Sequence, residues 1–148
     1  MRRLLLPLIL ASLALAACGE KVEDTRPGQP VKHRQEAFKG FIRSFEPMGT
    51  MLRDDKYEQQ AFAHLVQALI AQREAPWSYF GADTDYPPSK STADVWKRPE
   101  AFEAERQRFI AATDALGSAA ASGDKATVQK AYDAVYDSCK SCHKQFRK

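Results

Sequence analysis

The chain is expected to fold as an all-α protein, an antiparallel four-helix bundle, and three observations predict it. Four stretches carry apolar residues at three- and four-residue spacing, so each presents one apolar face when helical. Strand-like alternation is missing, as are a Gly-rich phosphate loop and an internal repeat. The last two stretches are separated only by Gly123-Asp124, and a connection that short turns one helix back along its neighbour.

The chain opens with an address. Arg2 and Arg3 are basic, residues 4–15 are apolar except for Pro7 and Ser12, and Leu15-Ala16-Ala17-Cys18 follows. Residues 1–17 read as a secretory signal peptide, too short for a stable membrane span. The cysteine at the cleavage point gives it the form of a bacterial lipoprotein signal, with Cys18 the lipidated first residue. Ordinary cleavage near Ala17, leaving Cys18 a free thiol, is the alternative. Several acyl chains on one residue anchor stably where one does not. Removing 17 of 148 residues leaves 131, which suits one domain with one core. The net charge of +3 counts Arg2 and Arg3; without them 20 basic residues face 19 acidic ones. A near-neutral chain with no basic stripe is not expected to bind nucleic acid. Residues 18–30 are rich in Pro, Gly and charge and read as a flexible tether, holding the domain on the order of 20 Å from its anchor.

The first helix starts near Val31, after Pro30, with Phe38, Phe41, Ile42, Phe45, Met48, Met51 and Leu52 as its apolar positions. Pro47 should kink it or end its regular part, and Gly49 adds looseness. The second begins around Asp54-Asp55, acidic residues suited to a cap, and buries Phe62, Leu65, Val66, Leu69 and Ile70. It ends before Pro76. From Trp77 to Arg98 runs a long connection whose Trp77, Tyr79, Phe80, Tyr86 and Trp96 mark a packed loop. Pro99 opens the third helix, which runs through Phe102, Phe109, Ile110 and Leu116 to the alanines at 119–121. Gly123 suits its C-terminal cap and Asp124 the next N-cap. In the fourth helix Val128, Ala131, Tyr132, Val135, Tyr136, Cys139, Cys142, His143 and Phe146 fall on one buried stripe, while Lys130, Asp133, Asp137, Lys140 and Lys144 take the other face.

That last stripe carries the chemistry. Cys139-Lys140-Ser141-Cys142-His143 is the attachment signature of a c-type haem. Two thiols add to the haem vinyl groups, and the adjoining imidazole of His143 takes an axial position on the iron. Residues three and four apart share one helical face, so a single stripe can present all three groups. Zinc would want four ligands, and His33 and His64 are the only other histidines. A dithiol redox pair usually follows a strand, whereas this motif ends a helix. One haem c per chain is the expected cofactor, and a haem-free lipoprotein with a dithiol is the alternative.

Residues 31–148 resemble cytochrome c′, the four-helix haem proteins of bacterial periplasms. The matching residues are Arg34-Gln35-x-Ala37-Phe38, Ala75-Pro76-Trp77 with Phe80-Gly81, Val95-Trp96, Gly123-Asp124, and Cys139-x-x-Cys142-His143-x-x-Phe146-Arg147. Two features depart from the family pattern: the lipoprotein-type signal, and Pro47 with Gly49 late in the first helix. The resemblance implies a location on the periplasmic side of the membrane, either anchored through Cys18 or soluble.

The resemblance also makes the residue opposite His143 decisive. Relatives with a methionine there are six-coordinate electron carriers, and those with an apolar residue are five-coordinate, high-spin and open to small neutral gases. The matching residue is Phe38, which cannot ligate iron. Met48 and Met51 read more simply as core, His33 is turned well away from Phe38, and His64 lies opposite its helix's apolar stripe. The expected ligands are therefore nitric oxide and carbon monoxide, with no enzymatic activity. The competing function is a low-potential electron carrier with a redox partner protein in a respiratory chain. By resemblance Arg147 lies beside the proximal imidazole or pairs with a propionate; a terminal charge near the helix dipole is the alternative. Arg34 matches a propionate contact and Gln35 a haem-edge contact. The family often forms homodimers through its first two helices, and Phe41, Phe45, Phe62 and Val66 suit core or interface.

Overall fold

The computed structural model describes residues 23–148. The signal peptide at 1–17 and Cys18 lie outside them. The elements are α1 (Pro30–Arg53), α2 (Gln59–Gln72), α3 (Asp94–Lys97), α4 (Pro99–Ser122) and α5 (Lys125–Phe146), with a 3-10 turn at Trp77–Tyr79. The four long helices run up, down, up and down, as the sequence predicts. α1 packs against α2, α2 against α4, and α4 against α5. Between them lie Phe41, Phe45, Met48 and Leu52 of α1, Phe62, Val66 and Leu69 of α2, Phe109 and Leu116 of α4, and Val128 and Val135 of α5. Phe41, Phe45, Phe62 and Val66 are therefore core residues. Fully burying one such side chain stabilises by roughly 1.5–3 kcal/mol.

Two boundaries differ from expectation, and of the two alternatives at Pro47 an end of the helix is excluded. α1 runs through Pro47 to Arg53. Proline lacks an N–H to give the carbonyl four residues back, but Pro47 and Arg43 are both exposed, so water can satisfy that carbonyl. α2 starts at Gln59, not near Asp54. Asp54 closes α1, its N–H donating to the Thr50 carbonyl, and Asp55 has a positive φ of 55° that breaks the helix. The cap of α2 is Glu58, whose carboxylate accepts from the Gln60 and Ala61 amides. Finally, the tether ends earlier than residue 30. Asp24 is 2% exposed and accepts from the Val31 and Lys32 amides, the Arg26 amide and the Tyr86 hydroxyl. Its carboxylate caps α1 from seven residues upstream, a place that Gln29, in the left-handed region, leaves unfilled.

The C-terminal signals agree with expectation. Gly123 has φ 72° and closes α4, and the Asp124 carboxylate accepts from the Thr127 amide to open α5.

The long connection caps one end of the bundle. The Thr92 amide donates to the Phe146 carbonyl, the Lys148 amide to the Lys90 carbonyl, and Ser91 bridges Arg147. The start of α1, the end of α5 and residues 77–98 thus share that end. Among the described residues no helix is long and apolar enough to cross a membrane.

Candidate haem site

α1 and α5 are neighbours that are not closely apposed. They meet where Phe45 stacks on Tyr132 with ring centroids 4.3 Å apart, and the Tyr132 hydroxyl lies over the Cα of Gly49. Gly49 is needed there, since a Cβ would strike that hydroxyl. The stack sets the register of the antiparallel pair. Two turns back along α1 from Phe45 is Phe38, and two turns on along α5 from Tyr132 is Cys139. The cysteine motif thus faces the seam between α1 and α5 at the capped end.

An aromatic wall lines the interior beside it. Phe38 meets Phe41, Trp77 and Phe80 edge-on at 5.5, 5.6 and 6.2 Å. Phe80 lies 4.8 Å from Phe102, which meets Phe146 at 5.2 Å, and Phe41 stacks on Phe109 at 5.2 Å. The rings are held by their polar edges. Trp77 Nε1 donates to the Arg73 carbonyl and Trp96 Nε1 to the Gly81 carbonyl. The aromatic content of this loop was visible in the sequence; its joining to Phe102 and Phe109 of α4 was not.

Cys139 and Cys142 are free, half-buried thiols. Burial pushes the Cys139 thiol up, and it pushes Cys142 up to about 11 with help from the nearby Glu105 charge. Reactive dithiols need the opposite shift. His143 is exposed and Tyr136 is 50% exposed, both against expectation. Their flank of α5 looks onto the seam, where no helix covers it. Partial desolvation of the ring, then the neighbouring Arg147, holds the imidazole of His143 below its ordinary value.

Arg147 lies near His143 without the helical geometry expected of it. It follows the last turn of α5 in extended backbone, with φ −121° and ψ 139°. Arg34 and Gln35 clamp the loop. Arg34 is 3% exposed and donates to the carbonyls of Tyr79 and Thr84 and to the hydroxyls of Thr84 and Ser89. Its guanidinium lies 4.3 Å from the Phe80 ring centroid. Gln35 donates to the Pro88 carbonyl. Met48 is fully buried in the core, and His33 and His64 are exposed, His33 stacked on Tyr79.

Two thiols three apart, an imidazole on the next residue and apolar ring surface opposite are the donor set that haem c takes. Cys139 and Cys142 would hold the porphyrin and His143 the iron. Among the described residues no group of three or more His, Cys, Asp or Glu is arranged to hold a metal ion by itself. The fold and this set of side chains define a class, the c-type cytochromes built on a helical bundle.

Comparison with known proteins narrows the class. A family model described as cytochrome C′ matches residues 29–147. The cytochrome c′ of Cereibacter sphaeroides is 30% identical over 156 residues, covering 99% of this chain and 98% of that protein. A nitric oxide complex of a leucine-to-isoleucine variant of Alcaligenes xylosoxidans cytochrome c′ superposes with a TM-score of 0.78 at 28% identity, covering 85% of this chain and 99% of that one. A carbon monoxide-bound leucine-to-glycine variant of the same protein gives identical values. The chain belongs to the cytochrome c′ family and carries haem c.

Proposed function

We propose that this cytochrome binds nitric oxide and carbon monoxide on five-coordinate, high-spin iron. The observation that carries the reading is Phe38, an apolar ring without a ligating atom, in register across the seam from Cys139. Bound haem supplies the iron and its redox change. The chain's residues decide what reaches it. Cys139 and Cys142 hold the group covalently, and His143 donates its imidazole from one side. Phe38 and the rings packed on it exclude water from the other side and offer no hydrogen-bond donor. A strongly polarised ligand such as O2 gains nothing there, whereas nitric oxide and carbon monoxide need less help. The nearest methionine of α1 beyond Phe38 is Met48, committed to the core. The gas complexes of the Alcaligenes protein support the same choice.

The role is that of a gas binder. The signal at 1–17 supports export, and Cys18 supports anchoring by lipid at the periplasmic side. Ile42, 48% exposed on α1, is available to a homodimer through α1 and α2.

The optical spectrum tests the assignment. The reduced holoprotein should show a high-spin band that shifts on adding carbon monoxide. A low-spin spectrum indifferent to carbon monoxide would favour the electron-carrier reading and sink this one.

A further inference from the structure

Among the described residues two carboxylates are buried, Asp24 and Glu105. Asp24 meets four donors, as its capping role explains. Glu105, on α4, is 6% exposed and less well met. Its Oε1 accepts from the Ser141 hydroxyl and the Gln145 side-chain amide, each at 2.9 Å, with Arg108 Nη1 at 3.6 Å. Its Oε2 is sealed from solvent with no hydrogen-bond partner. Burying a carboxylate so incompletely paired is costly. Packing does not demand it, because Phe109, Leu116, Val128 and Val135 already join α4 to α5.

Its partners have a special position. Ser141 lies between the two attachment cysteines, and Gln145 is two residues after His143. Ser141 is nine residues beyond Tyr132, so it points away from the α1 flank, which His143 shares with Tyr132. The carboxylate therefore grips the haem-bearing turn from the side opposite the axial imidazole. Gln145 extends the brace, its Oε1 accepting from Arg98 at 3.2 Å and its carbonyl from the Thr92 hydroxyl at 3.3 Å. Ser141, Gln145 and Arg108 all present donors to Glu105, the arrangement suited to an anion.

We propose that Glu105 is a positioning residue that sets the redox balance of the haem, its buried negative charge favouring the ferric over the ferrous state. A fixed charge in poorly solvated surroundings acts strongly on a nearby group that gains or loses one unit of charge. The proposal rests on the covalent haem and is independent of which gas binds opposite.

Redox titration of the haem-loaded protein tests it, each molecule taking up one electron from the electrode. Glu105→Gln keeps the shape and removes the charge. At the wild-type midpoint potential its ferrous-to-ferric ratio should exceed the wild type's by about threefold or more, the effect of removing one buried unit charge. Its ferric visible spectrum and its haem mass should match the wild type's. Glu105→Asp keeps the charge and should titrate with the wild type. Coincident titrations of Glu105→Gln and wild type would overturn the proposal and leave Glu105 a mechanical brace. Where Glu105→Gln does not retain haem, the equally uncharged Glu105→Met takes its place. The same threefold excess of ferrous over ferric haem supports the charge, and a wild-type ratio refutes it.

Discussion

Phe38 is the residue on which the gas-binding account turns. In the proposed site it stands where a ligating side chain would close the iron, and its ring is set by edge-on contacts with Phe41, Trp77 and Phe80. Methionine is close to phenylalanine in reach and carries a thioether sulfur. Phe38→Met is therefore expected to turn the ferric spectrum low-spin. Its carbon monoxide affinity should fall by about tenfold, the effect of a competing bond worth about 1.4 kcal/mol. An unchanged spectrum would mean that Phe38 does not face the iron. The Cys139, Cys142 and His143 set could be singled out in the sequence because spacing on one helix fixes it, whereas Phe38, on another helix, was marked only by the resemblance to the family. Glu105 could not, since it sits in the charged run Glu103-Ala104-Glu105-Arg106 that reads as a solvated face. Only the approach of α5 buries it. The environment of Arg34 was equally hidden, because its partners lie 45 to 55 residues along the chain.

At the scale of elements, the start of α1 shows what local signals miss. Caps from neighbouring residues, such as Asp124 before α5, can be read from a short window. Asp24 caps α1 from outside such a window, in a segment whose composition suggests only a tether. Burial pushes its carboxyl up, but the Lys32 amide, the Tyr86 hydroxyl and the Arg26 and Val31 amides outweigh this and hold it below the ordinary range. A carboxyl depressed in the folded state stabilises above its unfolded pKa, and that stabilisation fades as the pH falls through the folded value. Melting temperatures from pH 6 down to pH 3 should therefore fall more steeply for the wild type than for Asp24→Asn. The variant should be the less stable of the two at pH 6. Parallel curves would show that Asp24 does not titrate with folding. The second helix start was misplaced for a related reason. Asp54-Asp55 and Glu58 are all plausible caps by composition, and the positive φ of Asp55 decides between them.

The whole molecule is a bundle with three closely packed helix pairs and one looser seam, between α1 and α5, beside an aromatic wall. Bundle class, helix order and three of the four long-helix starts were legible, because apolar periodicity and the Pro and Gly signals are local. The seam was not, because it depends on how far two distant helices stay apart. Its consequence is functional. His143 and Tyr136, assigned to a buried stripe by periodicity, look onto the seam instead. The central claim is that each chain offers one open position on its haem iron, opposite His143. Titrating the ferrous holoprotein with nitric oxide under anaerobic conditions, followed by its visible spectrum, tests this most directly. The account predicts a saturating change that is complete at one equivalent per haem. A spectrum that does not change with nitric oxide would contradict it.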